Sequence, residues 1–246
     1  MTPAVLVALA AVALAAFTIE GAIGFGGTVL AASVGAQLVA LDVLLPAFVP
    51  INLALSSWLL ASGVRAIAWR VLAVDIAAPV AVGATVGLAL FHVPAKTVLA
   101  LAFGVFVVGL AALELARPAE RPLPRAAGVA LLVLGGVAHG LFGTGGPMIV
   151  YVIRRKLPDK AAFRATLAVM WLVLNVALLA NFASLGLYAR STAHLGGVLA
   201  ITLVPGLYLG ERLHRRLDAA RFERVVWGVL LAAGAALAIR SAWTLA

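Results

Sequence analysis

Two ionisable residues stand directly before two copies of one glycine-rich pattern. Glu20 precedes the motif G-x-x-G-x-G-G at 21–27, and His139 precedes the same motif at 140–146. Both residues end apolar stretches, where an ionisable side chain is costly in lipid and is a functional candidate. Histidine also titrates near physiological pH. The pair predicts proton coupling or gating at these two places. The alternative is that both side chains lie at segment ends and face water.

The glycines predict two breaks in helical structure. Glycine weakens a helix and exposes backbone polar groups, which lipid does not satisfy. A fresh helix begins after each motif, near Thr28 and near Pro147, and a helix start presents free N–H groups and the positive end of the helix dipole. Such a start binds a small anion without a full positive charge. The predicted substrate-binding residues in the two motifs are Gly24, Gly26, Gly27, Thr28, Gly143, Thr144, Gly145 and Gly146. Alternatively, the glycines only permit tight hairpins and close packing.

Neutral polar residues in the third and eighth apolar segments extend this set. Asn52, Ser56 and Asn175 have side chains that donate or accept hydrogen bonds, and Ser56 corresponds to Asn175 at an offset of 119 residues. We expect them to contact the substrate, with hydrogen bonding between helices as the alternative.

The elements that carry these residues must lie in a membrane. Of 246 residues, 65% are hydrophobic and 11% are charged. A soluble domain of this size has too little interior for so many apolar side chains. Spanning helices need about 20 apolar residues, and apolar runs divide the chain into ten segments. The segments are 5–19, 28–41, 44–60, 71–90, 97–115, 126–138, 148–153, 165–182, 195–209 and 225–239.

The basic residues predict the orientation of these segments. If every segment reverses the side, 15 of the 18 Lys and Arg residues lie on one face and three lie on the other. Cytoplasmic loops retain Lys and Arg, so both termini are expected in the periplasm. The short second and seventh segments are then full crossings or halves of re-entrant hairpins. This distribution explains the net charge of +9 without nucleic acid as a partner.

The two motifs belong to an internal repeat. The copies are 119 residues apart, and the pair Gly83 and Gly87 has a counterpart in Gly206 and Gly210. Because each half has an odd number of side-reversing segments, the second half, 121–246, is inverted relative to the first, 1–120. The predicted fold class is an all-α polytopic membrane protein. It has two five-segment inverted repeats, with broken or re-entrant helices at the glycine loops and eight to ten membrane segments. Inverted repeats are typical of secondary transporters whose sites lie near the bilayer midplane.

The paired motifs, the second ending in Gly145-Gly146-Pro147, resemble the sulfite exporter TauE/SafE family over nearly the whole chain. The resemblance implies a bacterial inner-membrane exporter of small sulfur-containing anions such as sulfite or sulfoacetate. We therefore expect alternating access around a site at the two glycine loops.

Other classes fit less well. A passive anion channel would use the same loops, and a transporter of another small anion or solute stays open. An enzyme is not expected, because the chain has no cysteine and only four histidines, which are scattered. We predict no metal and no cofactor. The expected partners are the anionic substrate and the lipid bilayer, and a homodimer stays open as the oligomeric state.

Overall fold

The computed structural model describes residues 1–61, 63–91, 96–116, 123–157, 159–216 and 219–245. Every regular element in these residues is helical. The α-helices are α1 (Pro3–Ile23), α2 (Gly27–Gly35), α3 (Leu41–Ala61), α4 (Ala77–Leu90), α5 (Lys96–Ala116), α6 (Arg125–Phe142), α7 (Gly146–Lys156), α8 (Lys160–Ser184), α9 (Arg190–Ala200), α10 (Leu203–Arg216) and α11 (Ala219–Leu245). A 3-10 turn (Val64–Ala66) and a π-helical turn (Val71–Ile76) lie between α3 and α4.

Helices of membrane-spanning length and composition make up most of the described chain. Six stretches are long and apolar enough to cross a bilayer: Pro3–Ala22, Leu41–Ala61, Val71–Leu90, Arg125–Phe142, Ala161–Ser184 and Arg190–Leu213. Large apolar side chains on their surfaces, such as Val7, Val74 and Ile201, are more than two thirds exposed. In a polytopic protein such side chains face lipid, so the prediction of an all-helical membrane protein is confirmed for the described residues.

Two predicted segments differ from the helices observed. The run at 28–41 ends as a helix at Gly35, and α3 already begins at Leu41. The run at 195–209 is interrupted by a turn at Ile201 and Thr202. The physical reason for that turn is Pro205, which has no N–H and whose ring would clash with the carbonyl of Ile201 in a continuous helix.

The helices form two compact units, each drawn from both halves of the sequence. The first unit comprises Met1–Leu44, Val93–Pro122 and Gly197–Ala246, and the second comprises Leu45–His92 and Leu123–Gly196. In the first unit α1 packs on α2 and α10, and α11 packs on α2 and α5. In the second unit α4 packs on α6 and α8, and α7 packs on α6 and α8. The division of the chain into repeats at 1–120 and 121–246 stays a prediction.

Backbone-to-backbone contact joins α4 to α6 in the second unit. A Cβ at Gly83 would strike the carbonyl oxygen of Val133 and would lie 3.0 Å from the Cα of Gly136. A Cβ at Gly87 would strike the carbonyl of Val137 and would lie 2.9 Å from the Cα of Gly140. Small residues four apart let helices approach this closely. In lipid, where the hydrophobic effect does not drive helices together, such packing stabilises their association.

The first unit contains a corresponding contact between α10 and α1. A Cβ at Gly206 would lie 2.6 Å from the Cβ of Phe17, and one at Gly210 would lie 2.6 Å from the carbonyl oxygen of Thr18. The contacts advance in the same direction along both helices, so α10 runs parallel to α1, as α4 runs parallel to α6. The helices that lead into the two glycine motifs are therefore both held by a glycine pair.

We predict that Gly83→Ala destabilises the protein, because the new methyl group meets backbone that cannot move aside. Overpacking of this kind costs about 1–3 kcal/mol. Thermal unfolding of the purified protein in detergent should show a lower melting temperature. Gly109→Ala is the matched control, since a Cβ there has nothing within 4 Å and alanine favours a helix by about 0.5–1 kcal/mol. Equal melting temperatures for the two variants would contradict the packing described.

Candidate functional site

The first glycine loop turns the chain back on itself at the end of α1. Gly24 ends the helix with φ of 83°, a left-handed conformation that costs other residues about 1–2 kcal/mol. The N–H of Gly24 donates to the carbonyl oxygen of Glu20 at 2.7 Å. Helix α2 then begins at Gly27, where a Cβ would strike the carbonyl oxygen of Ala16. Contact between Gly27 and a residue two turns before the end of α1 shows that the chain doubles back.

The Glu20 carboxylate caps the start of α2. Glu20 Oε2 accepts a hydrogen bond from Thr28 Oγ1 at 3.4 Å, and the backbone N–H of Thr28 also donates to this carboxylate. Glu20 is 8% exposed and Thr28 is 9% exposed. The interpretation that Glu20 faces water at a segment end is therefore wrong, because α2 folds back over it and supplies its hydrogen-bond donors.

The second glycine loop shares with the first a helix that ends at a left-handed glycine, but the residue before its new helix, Gly145, has φ of −103°, where Gly26 has φ of 92°. Gly143 ends α6 with φ of 65°, and its N–H donates to the carbonyl oxygen of His139 at 2.7 Å. Gly145 lies against α6, because a Cβ there would strike the carbonyl oxygen of Gly135 and would lie 3.1 Å from the Cβ of His139. Thr144 and Gly146 are buried. Helix α7 thus starts beside His139, as α2 starts beside Glu20.

The two loops differ in the side chains at the helix start. The residue that precedes α7 is Gly145, which has no side chain to cap the helix, and the second residue of α7 is Pro147, which has no backbone N–H to donate. His139 is 3% exposed, so, like Glu20, it does not face water. Neither of its ring nitrogens has a hydrogen-bond partner among the described residues.

An aromatic partner holds the His139 ring. Trp171 of α8 stacks on it with ring centroids 5.6 Å apart and an angle of 11° between planes. The indole Nε1 of Trp171 and the Oδ1 of Asn175 are also buried without a partner in the described part of the chain. Residues four apart on a helix lie on one face, so Trp171 and Asn175 share the side of α8 that adjoins His139.

The predicted polar residues all fall in buried positions. Asn52, Ser56 and Asn175 are each 3% exposed and belong to the second unit, as does the second glycine loop. The first glycine loop belongs to the first unit. The sequence prediction missed Trp171, although this residue stands where the repeat offset places the counterpart of Asn52.

Polar contacts hold the far ends of the two short helices. Arg240 of α11 donates to the carbonyl oxygen of Gln37 at 2.7 Å and to that of Ala36 at 3.4 Å, just after α2 ends. At the end of α7, Lys156 Nζ lies 3.2 Å from Asp75 Oδ2 of the π-helical turn. Both contacts bind a short helix to its own unit at the end opposite the glycine loop.

Comparison with known proteins identifies one family and one curated relative. The model of the family described as Sulfite exporter TauE/SafE matches residues 9–237. A protein of Comamonas testosteroni called "Probable inner membrane transporter protein TsaS" is 30% identical over 176 residues, which cover 70% of this chain and 73% of the relative. No solved structure matches the chain significantly.

We predict that Glu20→Ala destabilises the protein more than Glu20→Gln. Alanine removes the carboxylate that accepts from the hydroxyl and backbone N–H of Thr28, and losing a helix cap costs about 0.5–2 kcal/mol. Glutamine keeps an oxygen at the same distance from the main chain. Melting temperatures of both variants in the same detergent test this. A Glu20→Ala protein as stable as Glu20→Gln would argue against the capping contact.

Proposed function

The chain belongs to the sulfite exporter TauE/SafE family and is a membrane transporter, and from this premise we propose that it exports a small sulfur-containing anion. Sulfite and organosulfonates such as sulfoacetate are the proposed cargo, in keeping with the family's description. The proposed location is the bacterial inner membrane, which the name of the relative also mentions.

One observation carries the proposal of an anion as cargo: two helices start in buried surroundings and no positively charged residue is buried with them. The buried polar or charged residues among those described include Glu20, Thr28, Thr144 and His139 but no Lys or Arg. A helix start carries about half a positive charge. Backbone N–H groups at the glycine loops are therefore the positive groups available to an anion.

The lengths of the short helices support binding positions near the middle of the bilayer. Helix α2 has 9 residues and α7 has 11, which at about 1.5 Å per residue is roughly half of a hydrocarbon core about 30 Å thick. Each ends beside charged groups, Arg240 for α2 and its own residues Arg154–Lys156 for α7. With these ends at the membrane surfaces, the helix starts lie near the midplane, where transporters of inverted-repeat design bind their substrates.

Corresponding contacts support an inverted repeat as the basis of this arrangement. At the repeat offset, Phe17 and Gly21 of α1 take the places of Gly136 and Gly140 of α6. Gly206 and Gly210 approach the first pair, and Gly83 and Gly87 approach the second pair. Both short helices also double back along the helix before them, as the charge distribution requires.

The membrane potential supplies the driving force that we propose. An inside-negative potential favours outward movement of an anion by about 2.3 kcal/mol per charge per 100 mV. We propose alternating access as the mechanism and Glu20 and His139 as the groups that would couple transport to protons. A passive anion channel is the second candidate.

We predict saturable, potential-driven transport of sulfite or sulfoacetate by the purified protein in lipid vesicles. Radiolabelled sulfite, sulfate, sulfoacetate, taurine and acetate are tested with and without a potential, and with and without a pH gradient. A transporter also shows counterflow, in which unlabelled anion inside the vesicle speeds entry of labelled anion. Flux that neither saturates nor shows counterflow would identify a channel. No flux of any sulfur-containing anion would contradict the proposed cargo.

We also predict that residues 65 and 190 face opposite sides of the membrane, with 190 and both termini in the periplasm. The chain has no cysteine, so Arg65→Cys and Arg190→Cys each provide a single thiol. A membrane-impermeant thiol reagent added to intact cells should label Arg190→Cys, and it should label Arg65→Cys only after the cells are opened. Labelling of both variants from the same side would overturn the orientation.

A further inference from the structure

We propose that the anion binds at the second glycine loop, against the start of α7, and that Glu20 takes the corresponding position at the first loop. This inference rests on the proposed function and narrows the anion-binding site from two glycine loops to one. It assigns the site to His139, Trp171, Asn175 and the backbone of 144–146.

The first loop already contains an anion that belongs to the chain. The Glu20 carboxylate accepts hydrogen bonds from the hydroxyl and the backbone N–H of Thr28 at the start of α2. A second anion at this start would compete for the same donors and would approach a carboxylate. Carboxylates near helix starts are stabilising, so this contact holds α2 in place and removes its binding capacity.

The second loop presents hydrogen-bonding groups that no protein side chain satisfies. His139 and Trp171 contribute three buried ring nitrogens without a partner among the described residues, and the residue that precedes α7, Gly145, has no side chain. Buried polar groups are normally hydrogen-bonded, and leaving one unsatisfied costs about 1–3 kcal/mol. The second loop shares the left-handed helix end of the first, but its chemistry is the opposite, because His139 replaces the carboxylate and Pro147 replaces Thr28.

The chemistry of these groups defines the ligand. The indole Nε1–H donates and cannot accept, and a histidine ring has at least one N–H in any protonation state. With the N–H groups of the α7 start, donors outnumber the acceptors of the site, which are Asn175 Oδ1 and, when the ring is neutral, one nitrogen of His139. The ligand that suits this majority of donors is an oxyanion with several acceptor oxygens. Sulfite and sulfonate groups both meet this description.

Binding to the purified protein in detergent tests the site independently of transport. Radiolabelled sulfite, sulfate, sulfoacetate and acetate are measured by equilibrium dialysis for the wild-type protein and three ring-preserving variants. Trp171→Phe and His139→Phe each keep an aromatic ring in the stacked pair. Trp171→Phe removes the indole nitrogen, and His139→Phe removes both imidazole nitrogens. Trp227→Phe is the matched control, because Trp227 lies beside the first loop, with its ring 6.1 Å from that of Phe25. Melting temperatures establish that each variant folds, and where one of the two site variants does not, the other carries the test.

We expect one anion per chain, and a Kd raised about ten- to one-hundred-fold by Trp171→Phe and by His139→Phe, as expected for losing a hydrogen bond to a charged group. Trp227→Phe should bind as the wild type does. Two anions per chain, an unchanged Kd in a folded site variant, an equal loss in Trp227→Phe, or no binding of any of the four anions would each overturn the inference. Binding that follows the expected pattern without transport in vesicles would support the site and contradict the proposed export.

Discussion

A helix that begins inside a bilayer has backbone N–H groups that need an acceptor, and the rest of this structure depends on how that need is met. Lipid provides no acceptor, so the groups bond to the protein, to water in a cavity or to a ligand. The chain contains two helix starts that we propose lie at this depth, α2 and α7, and the helix before each ends at a left-handed glycine, Gly24 or Gly143. At α2 the acceptor is the Glu20 carboxylate. At α7 the preceding residue is Gly145, which has no side chain to provide one.

Close packing makes the positions of these starts rigid. The helices that lead into the loops, α1 and α6, each lie against a helix with two glycines four residues apart, and the backbones touch. In the first unit this contact reaches Gly21 and Ala22, next to Glu20. A displacement of α10 along α1 would therefore move the loop itself. A closely packed protein interior transmits the displacement of one helix to its neighbours. Alternating access requires that helices around a binding site transmit displacements in this way.

The sequence predicted the elements well because their signals are local. Apolar runs, glycine breaks and the positions of Glu20 and His139 depend on neighbouring residues, and the structure places a helix at every predicted segment. The sequence predicted less well the contacts between residues that are far apart in the chain. The stacking of His139 on Trp171 joins residues from two helices, and the bond from Thr28 to Glu20 exists because the loop doubles back. The turn at Ile201 is an exception, because its cause, Pro205, is local. The sequence prediction missed it because Pro205 lies inside an otherwise continuous apolar run.

The binding site that we propose at the second loop agrees with what a transporter requires of such a site. A buried lysine or arginine would hold an anion strongly, but it would remain as an uncompensated charge after release, and an unpaired buried charge is very costly. A helix start and neutral ring nitrogens bind more weakly, and losing the ligand leaves only unsatisfied neutral groups. A carboxylate that is part of the chain is not released with the substrate, so it can stabilise a helix start at which no ligand binds. In this proposal, a helix start serves for anchoring where its anion is a side chain, and for reversible binding where its anion comes from solution.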